Sequence, residues 1–148
     1  MSRVYVSVVI DAPPADVWSV VEPIERHVDW MADAVSITFT GIMRRGVGTR
    51  FDCRTRIGPL RTTDRMTVTE WTPGRAMGIE HRGVVTGRGR FTLGRRPLGR
   101  TRFTWTEELT FPWWTGGPVG AFVAKPALRA VWRRNLRRLK QLVEVGQR

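Results

Sequence analysis

The feature that most constrains this chain is the stretch from Val35 to Phe111, where polar and apolar residues alternate in short runs. The runs are separated by Gly41, Gly46, Gly48, Gly58-Pro59, Pro73-Gly74, Gly87 and Pro97-Leu98-Gly99. Alternation at period two is the pattern of a half-buried strand, and Gly and Pro at this spacing are turn residues, so the stretch predicts about six strands in a meander. Ahead of it, Val4 to Ile10 is rich in β-branched residues and suits a further strand, broken by Asp11-Ala12-Pro13-Pro14. Ala15 to Val21 then sets Val17, Val20 and Val21 at helical spacing, with Pro14 near the first turn where its missing N–H is harmless. Pro23 ends that segment, and a second short helix is expected over Ile24 to Trp30.

The last segment reads as a long helix from Pro118 to Val145. Its apolar stripe runs through Val119, Phe122, Val123, Leu128, Val131, Trp132, Leu136, Leu139, Leu142 and Val143, and Pro126 is expected to kink it. Arg129, Arg133, Arg134, Arg137, Arg138 and Lys140 occupy the other face, as a solvated side of a packed helix would. Helices lying at the two ends of a run of strands define an α+β chain.

At 148 residues the sequence has the size of one domain, spanning 1–148, and can bury a core without disulfide or metal. Its single cysteine, Cys53, cannot form an intrachain disulfide. With only His27 and His81 beside it, no Cys/His zinc site is expected, and a reducing cytoplasm is the default location. The apolar start meets Asp11 and Pro13 too soon for a secretory signal. The longest uncharged stretch, Leu109 to Ala124, is interrupted by Pro and Gly and is shorter than the ~20 residues of a membrane span.

Lys and Arg number 25 against 13 Asp and Glu, a formal charge of +12, and all the cations except Lys125 and Lys140 are Arg. A basic surface can track phosphates, but GC-rich codon usage also replaces Lys by Arg with no ligand involved. No zinc-finger spacing, RNP-like aromatic motif or GXXG clamp accompanies the charge, so nucleic acid is not an expected partner.

The two-residue period also sorts the strand faces. Phe51, Cys53, Thr55 and Ile57 share an inner face, with Arg50, Asp52, Arg54 and Arg56 outside. Met77, Ile79, His81 and Gly83 point inward, as do Gly89, Phe91 and Leu93, and then Phe103, Trp105, Glu107, Leu109 and Phe111. Two ionisable groups, His81 and Glu107, therefore fall on faces that are otherwise apolar.

The order strand, two short helices, meander, long helix resembles the START/polyketide cyclase superfamily (SRPBCC). Val8-Val9-Ile10-Asp11-Ala12-Pro13-Pro14-Ala15-Asp16-Val17-Trp18 is similar to that family's opening I-x-A-P-x-x-x-V-W, and Trp30 stands where a Trp often closes the second helix. Gly46 to Phe51, Asp64 to Pro73 and Gly99 to Trp105 resemble its later strands. The resemblance covers essentially the whole chain. It implies a helix-grip fold, a curved seven-stranded antiparallel sheet wrapped around the C-terminal helix. Members include polyketide aromatase/cyclases, lipid and sterol carriers, hormone receptors and ring-hydroxylase subunits, so the fold alone does not fix the activity.

A sheet bent over one helix is hard to fill at its open end, and Gly83 and Gly89 remove inward volume, so an apolar pocket with a few polar groups is expected. Within it His81 and Glu107 are the candidate catalytic pair, able to move protons in an aldol cyclisation or dehydration; a buried structural hydrogen bond is the plainer role for the same two residues. Trp30, Phe51, Cys53, Met77, Phe91 and Trp105 are the candidate ligand-binding walls, although large aromatics also build ordinary cores. Cys53 needs a base or cationic neighbour to be a nucleophile and otherwise acts as a small hydrophobe. Trp113 and Trp114 lie where a lid or cavity mouth is expected, and beside an Arg-rich helix they also suit an anionic membrane surface; a hinge packed on the protein is the simpler alternative.

No nucleotide-binding Gly motif, metal triad or nucleophile elbow occurs, so the expected chemistry is cofactor-free. The leading expectation is a protein of the polyketide cyclase/dehydrase-like group that binds a hydrophobic small molecule. The alternatives are a non-catalytic carrier or sensor of lipid, quinone or isoprenoid, and a basic protein associated with membrane or nucleic acid.

Overall fold

The computed structural model describes residues 2–146; Met1, Gln147 and Arg148 of the expected domain lie outside the described residues. Its strands are β1 (Ser2–Ile10), β2 (Ala34–Phe39), β3 (Arg50–Ile57), β4 (Leu60–Thr72), β5 (Ala76–Arg82), β6 (Thr86–Arg96) and β7 (Arg100–Thr110). They form one antiparallel sheet in the order β1-β7-β6-β5-β4-β3-β2. The meander expected between Val35 and Phe111 is therefore continuous, and β1 closes onto its last strand. Helix α1 (Pro14–Val21) starts one residue before the expected helix, with Pro14 in its first turn. The second short helix is a 3₁₀ segment, Ile24–Asp29, capped by Trp30.

The final helix, α2 (Gly117–Gly146), runs on through Pro126 and packs mainly against β1. Trp132, Leu136, Leu139 and Val143 are buried in the concavity of the sheet with Val4, Val6, Ile10, Val17, Val21 and Phe103. Each such side chain contributes roughly 1.5–3 kcal/mol on burial, which makes this row the main tie between helix and sheet.

The expected apolar stripe is only half buried. Val119, Phe122 and Val123 are exposed, Phe122 at 80%, and Leu142 is partly so. Length explains the first three. A helix of 30 residues is about 45 Å long at 1.5 Å per residue, whereas the nine residues of β1 span about 30 Å. Roughly the first ten residues of α2 therefore reach beyond the strand that the rest of the helix covers. Among the described residues, no helix is long and apolar enough to cross a membrane.

Two register shifts shape the sheet. One lies in β2 between Ala34 and Ser36, the other in β4 between Val68 and Glu70. Bulges of this kind bend a strand and sharpen its twist. The first leaves Val35 exposed on the outer side of edge strand β2.

Candidate functional site

Between the concave face and α2 lies a cavity of about 210 Å³ whose exposed lining is mostly apolar. Phe51 and Cys53 of β3, Met77 of β5, Phe91 of β6 and Trp105 of β7 all line it, as do His81 and Glu107. Leu128 and Trp132 close it from the helix side. Trp30 takes a different place. It is fully buried behind the lining, in ring contact with His27, Phe91, Phe103 and Trp105, and belongs to the core. Trp113 and Trp114 form a 3₁₀ turn with Thr115 just before α2, and both indoles are exposed, Trp113 at 86%. Neither belongs to the cavity lining, which reaches Phe111 two residues before Trp113.

His81 and Glu107 meet directly. Their strands are not adjacent, since β6 lies between β5 and β7, but both side chains lean over that strand where it carries Gly87 and Gly89. The His81 Nε2 to Glu107 Oε2 distance is 2.9 Å, and the side chains are 12% and 10% exposed. Glu107 Oε1 accepts a second hydrogen bond from the Trp105 indole N–H at 3.0 Å.

Gly89 makes this geometry available. A methyl group on it would stand 2.4 Å from Glu107 Oε1. Gly83 serves Asp64 in the same way, with an added Cβ only 1.9 Å from Oδ1. The two inward glycines were expected to hollow out the pocket; the space they free holds carboxylates.

The electrostatics follow from burial and these partners. Burial opposes the charged imidazole of His81. Glu107 beside it, with Asp64 and a backbone hydrogen bond at Val85, outweighs that and raises its pKa above the ordinary histidine value. Burial pushes the Cys53 thiol up to about 11, with nearby Asp64 and Asp33 adding to the rise and a Thr55 hydrogen bond opposing it. That thiol is not an activated nucleophile.

Sequence reasoning missed two further acids in the cavity lining, Asp64, which is buried, and Asp33, which is half-buried. Asp64 accepts hydrogen bonds from the hydroxyls of Thr55 at 3.1 Å and Thr62 at 3.3 Å. Asp33 accepts one from Asn135 Nδ2 at 2.7 Å and another from the Trp132 indole. Desolvation raises the pKa of both carboxyls above the usual range, against those hydrogen bonds. The indoles of Trp105 and Trp132 stack at 4.9 Å, so two adjacent rings each hold one acid.

Asp64 was findable, because Thr62, Asp64, Met66 and Val68 alternate as one inward face of β4. Asn135 also had a signal, falling three residues after Trp132 and directly before Leu136 on the buried helix face. Asp33 had none, since it sits in a connection and is fixed by Asn135 from far along the chain. Among the described residues, no three His, Cys, Asp or Glu side chains converge as metal ligands.

A curved antiparallel sheet gripping one helix over a partly polar cavity defines a START-type, helix-grip protein. The model of the family described as "Polyketide cyclase / dehydrase and lipid transport" matches residues 1–144, and the chain belongs to that family. No curated protein matches it in sequence. Its fold is shared with the protein TTHA0849 of Thermus thermophilus, at 16% identity, 99% coverage of this chain, 100% of that one and a TM-score of 0.82. It is likewise similar to the Zhui aromatase/cyclase of a Streptomyces species, at 18% identity, 99% and 96% coverage and a TM-score of 0.76. A START superfamily protein of Mycobacterium smegmatis matches at 14% identity, 96% and 97% coverage and a TM-score of 0.77.

Proposed function

We propose that this protein binds a hydrophobic, oxygen-bearing small molecule in the cavity and that His81 and Glu107 move protons on it in a cofactor-free cyclisation or dehydration. The observation that carries the reading is the contact of an imidazole and a carboxylate at 2.9 Å within a mostly apolar lining. A carbonyl entering beside His81 meets an imidazole N–H donor. Glu107, through its shared hydrogen bond with His81, takes the proton from the carbon next to that carbonyl; the enolate left, held by the imidazole N–H, attacks a second carbonyl, and the alkoxide that forms takes the proton back. Glu107, held by the Trp105 indole, keeps the imidazole oriented and takes part in returning the proton. The apolar walls restrict the chain to few foldings, which supplies proximity and excludes water.

General acid–base groups of this kind contribute about 10²–10⁴ in rate. His81→Ala and Glu107→Ala should each lower turnover of a poly-β-keto substrate at least a hundredfold while a hydrophobic probe still binds. Turnover in both variants equal to that of the unmodified protein would remove the catalytic reading.

A carrier reading draws on a different observation. Trp113, Trp114, Val119, Phe122 and Val123 are all exposed in and just before the N-terminal turns of α2, and the exposed face of the helix turns cationic further along at Arg133, Arg134, Arg137 and Arg138. Apolar residues next to cations suit the surface of an anionic bilayer, from which a lipid, quinone or isoprenoid could enter. Mass spectrometry of material extracted from the purified protein separates the two. An unaltered lipid, quinone or isoprenoid supports the carrier, and a cyclised or dehydrated compound supports the enzyme.

A further inference from the structure

The outer face of the sheet carries a second feature that the cavity does not explain. On part of that face charges are balanced across strands, although Arg65 faces Arg82 and Arg96 faces Arg100. Thr67, Glu80, Arg88, Glu108 and Arg3 follow one another in register on β4, β5, β6, β7 and β1, and Arg90 is held by Glu70 through two hydrogen bonds. The end of the β3–β4 hairpin breaks the pattern. There Arg56 stands directly opposite Arg61, and Arg54 lies two residues away on the same face. All three are exposed, and none makes a salt bridge or side-chain hydrogen bond among the described residues. Like charges placed opposite one another across strands destabilise a sheet.

Local structure turns this cluster into a site. The bulge between Ala34 and Ser36 turns Val35 outward at the sheet edge, and Arg54, Arg56, Arg61, Thr63 and Val35 line a surface hollow of about 300 Å³ together with Thr55 and Thr62, which also line the cavity. Guanidinium groups present paired N–H donors in a plane that matches the oxygens of a phosphate, and the Thr63 hydroxyl adds one more donor. We infer that this hollow is an oxyanion site for a phosphate monoester or diphosphate group, carried by a soluble ligand or a lipid headgroup and bound by the outward arginines of the β3–β4 hairpin.

The test uses inorganic pyrophosphate and titration calorimetry at about 150 mM NaCl, a concentration at which diffuse attraction to a basic protein is largely screened. The full chain is compared with Arg56→Gln/Arg61→Gln and with Arg96→Gln/Arg100→Gln. The latter removes the same charge from another directly facing pair, on β6 and β7 at the opposite end of the sheet. Pyrophosphate affinity should fall at least tenfold in the first variant and less than twofold in the second. Equal weakening in both would show attraction to net charge and overturn the site, as would absence of binding by the unmodified chain. Co-sedimentation with phosphatidylcholine vesicles, with and without one fifth phosphatidic acid, then identifies the source. Capture by the acidic vesicles that is lost in Arg56→Gln/Arg61→Gln assigns a headgroup; pyrophosphate binding without such capture assigns a soluble phosphate ester.

Discussion

Replacing Gly89 by Ala tests how the site is built. Gly89 of β6 faces Glu107 of β7 in register, and its added methyl would lie 2.4 Å from Oε1 and 2.9 Å from the carboxyl carbon. Ordinary contact needs about 1 Å more than the shorter distance, so the carboxylate must retreat by about that much. A shift of this size carries it out of hydrogen-bond range of both His81 Nε2, now at 2.9 Å, and Trp105 Nε1, now at 3.0 Å. Hydrogen bonds to charged groups are each worth roughly 1.5–3 kcal/mol. The reduced freedom of the unfolded chain returns up to about 1 kcal/mol, and partial rehydration returns some of the rest. The net loss should be about 2–3 kcal/mol, or some 5–10 °C in melting temperature at this size. The pKa of His81 should fall with it, because desolvation stays while the carboxylate that overcame it moves away. Thermal unfolding and NMR titration of the imidazole read the two effects. Gly41→Ala is the control, as nothing lies within 4 Å of its added Cβ. If Gly89→Ala proves as mild as Gly41→Ala and His81 titrates unchanged, the steric argument is wrong.

Leu98 has a left-handed backbone with φ of 66°, is exposed, and precedes Gly99 at φ of 69° in the β6–β7 turn. Asn-Gly suits two successive positive φ values, so Leu98→Asn should stabilise by about 0.5–1 kcal/mol, and an unchanged or lower melting temperature would contradict it. His27 is fully buried against the Val21 carbonyl at 2.7 Å, and desolvation lowers its pKa to about 4 from 6.5. The unfolded chain therefore binds the extra proton first, and stability should decline by about 3 kcal/mol as pH falls from 6.5 to 4. Denaturant titrations of His27→Gln should show a flatter profile over that window. His81 has the opposite sign: its raised pKa adds stability below about pH 6.5 that is lost as pH rises through the folded value. Ile79 points into the cavity from β5, so Ile79→Trp should abolish binding of a solvatochromic hydrophobic probe with little change in unfolding midpoint; undiminished binding would place the ligand elsewhere.

The strand faces were legible because the period of two is enforced residue by residue. Once Phe51 and Cys53 point inward, Arg54 and Arg56 must point out, and a Gly or Pro turn resets the count. His81 and Glu107 were found by that rule alone, as polar residues at apolar positions. Their contact across an intervening strand was not legible, since it depends on Gly87 facing His81 of β5 and Gly89 facing Glu107 of β7, a property of register. Trp30 was misplaced because an aromatic at the end of a short helix reads the same whether it lines a cavity or sits one layer behind. The stripe on α2 failed for another reason: periodicity reports that one helix face is apolar, and only the length of the facing strand decides how much of it is covered.

The polar side of the cavity carries its own argument about the ligand. Glu107 and Asp33 each accept an indole N–H and a second donor, Asp64 accepts two hydroxyls, and His81 engages Glu107 and Val85. These groups are satisfied before anything binds, so they do not await a ligand merely to complete a buried network. Yet well-packed apolar residues of similar volume often serve a core as well as buried ion pairs or better, and a pure hydrocarbon guest would gain nothing from them. On the function proposed above, their value lies in exchanging partners with oxygens on the ligand, which a hydrogen-bonded pair does at small cost. Size points the same way. At about 210 Å³ the cavity falls below the ~300–1,000 Å³ of drug-sized sites, so a longer guest must lie partly outside it. The oxygen-bearing end would then sit between His81 and Asp64, and the rest would run out toward the uncovered apolar turns of α2.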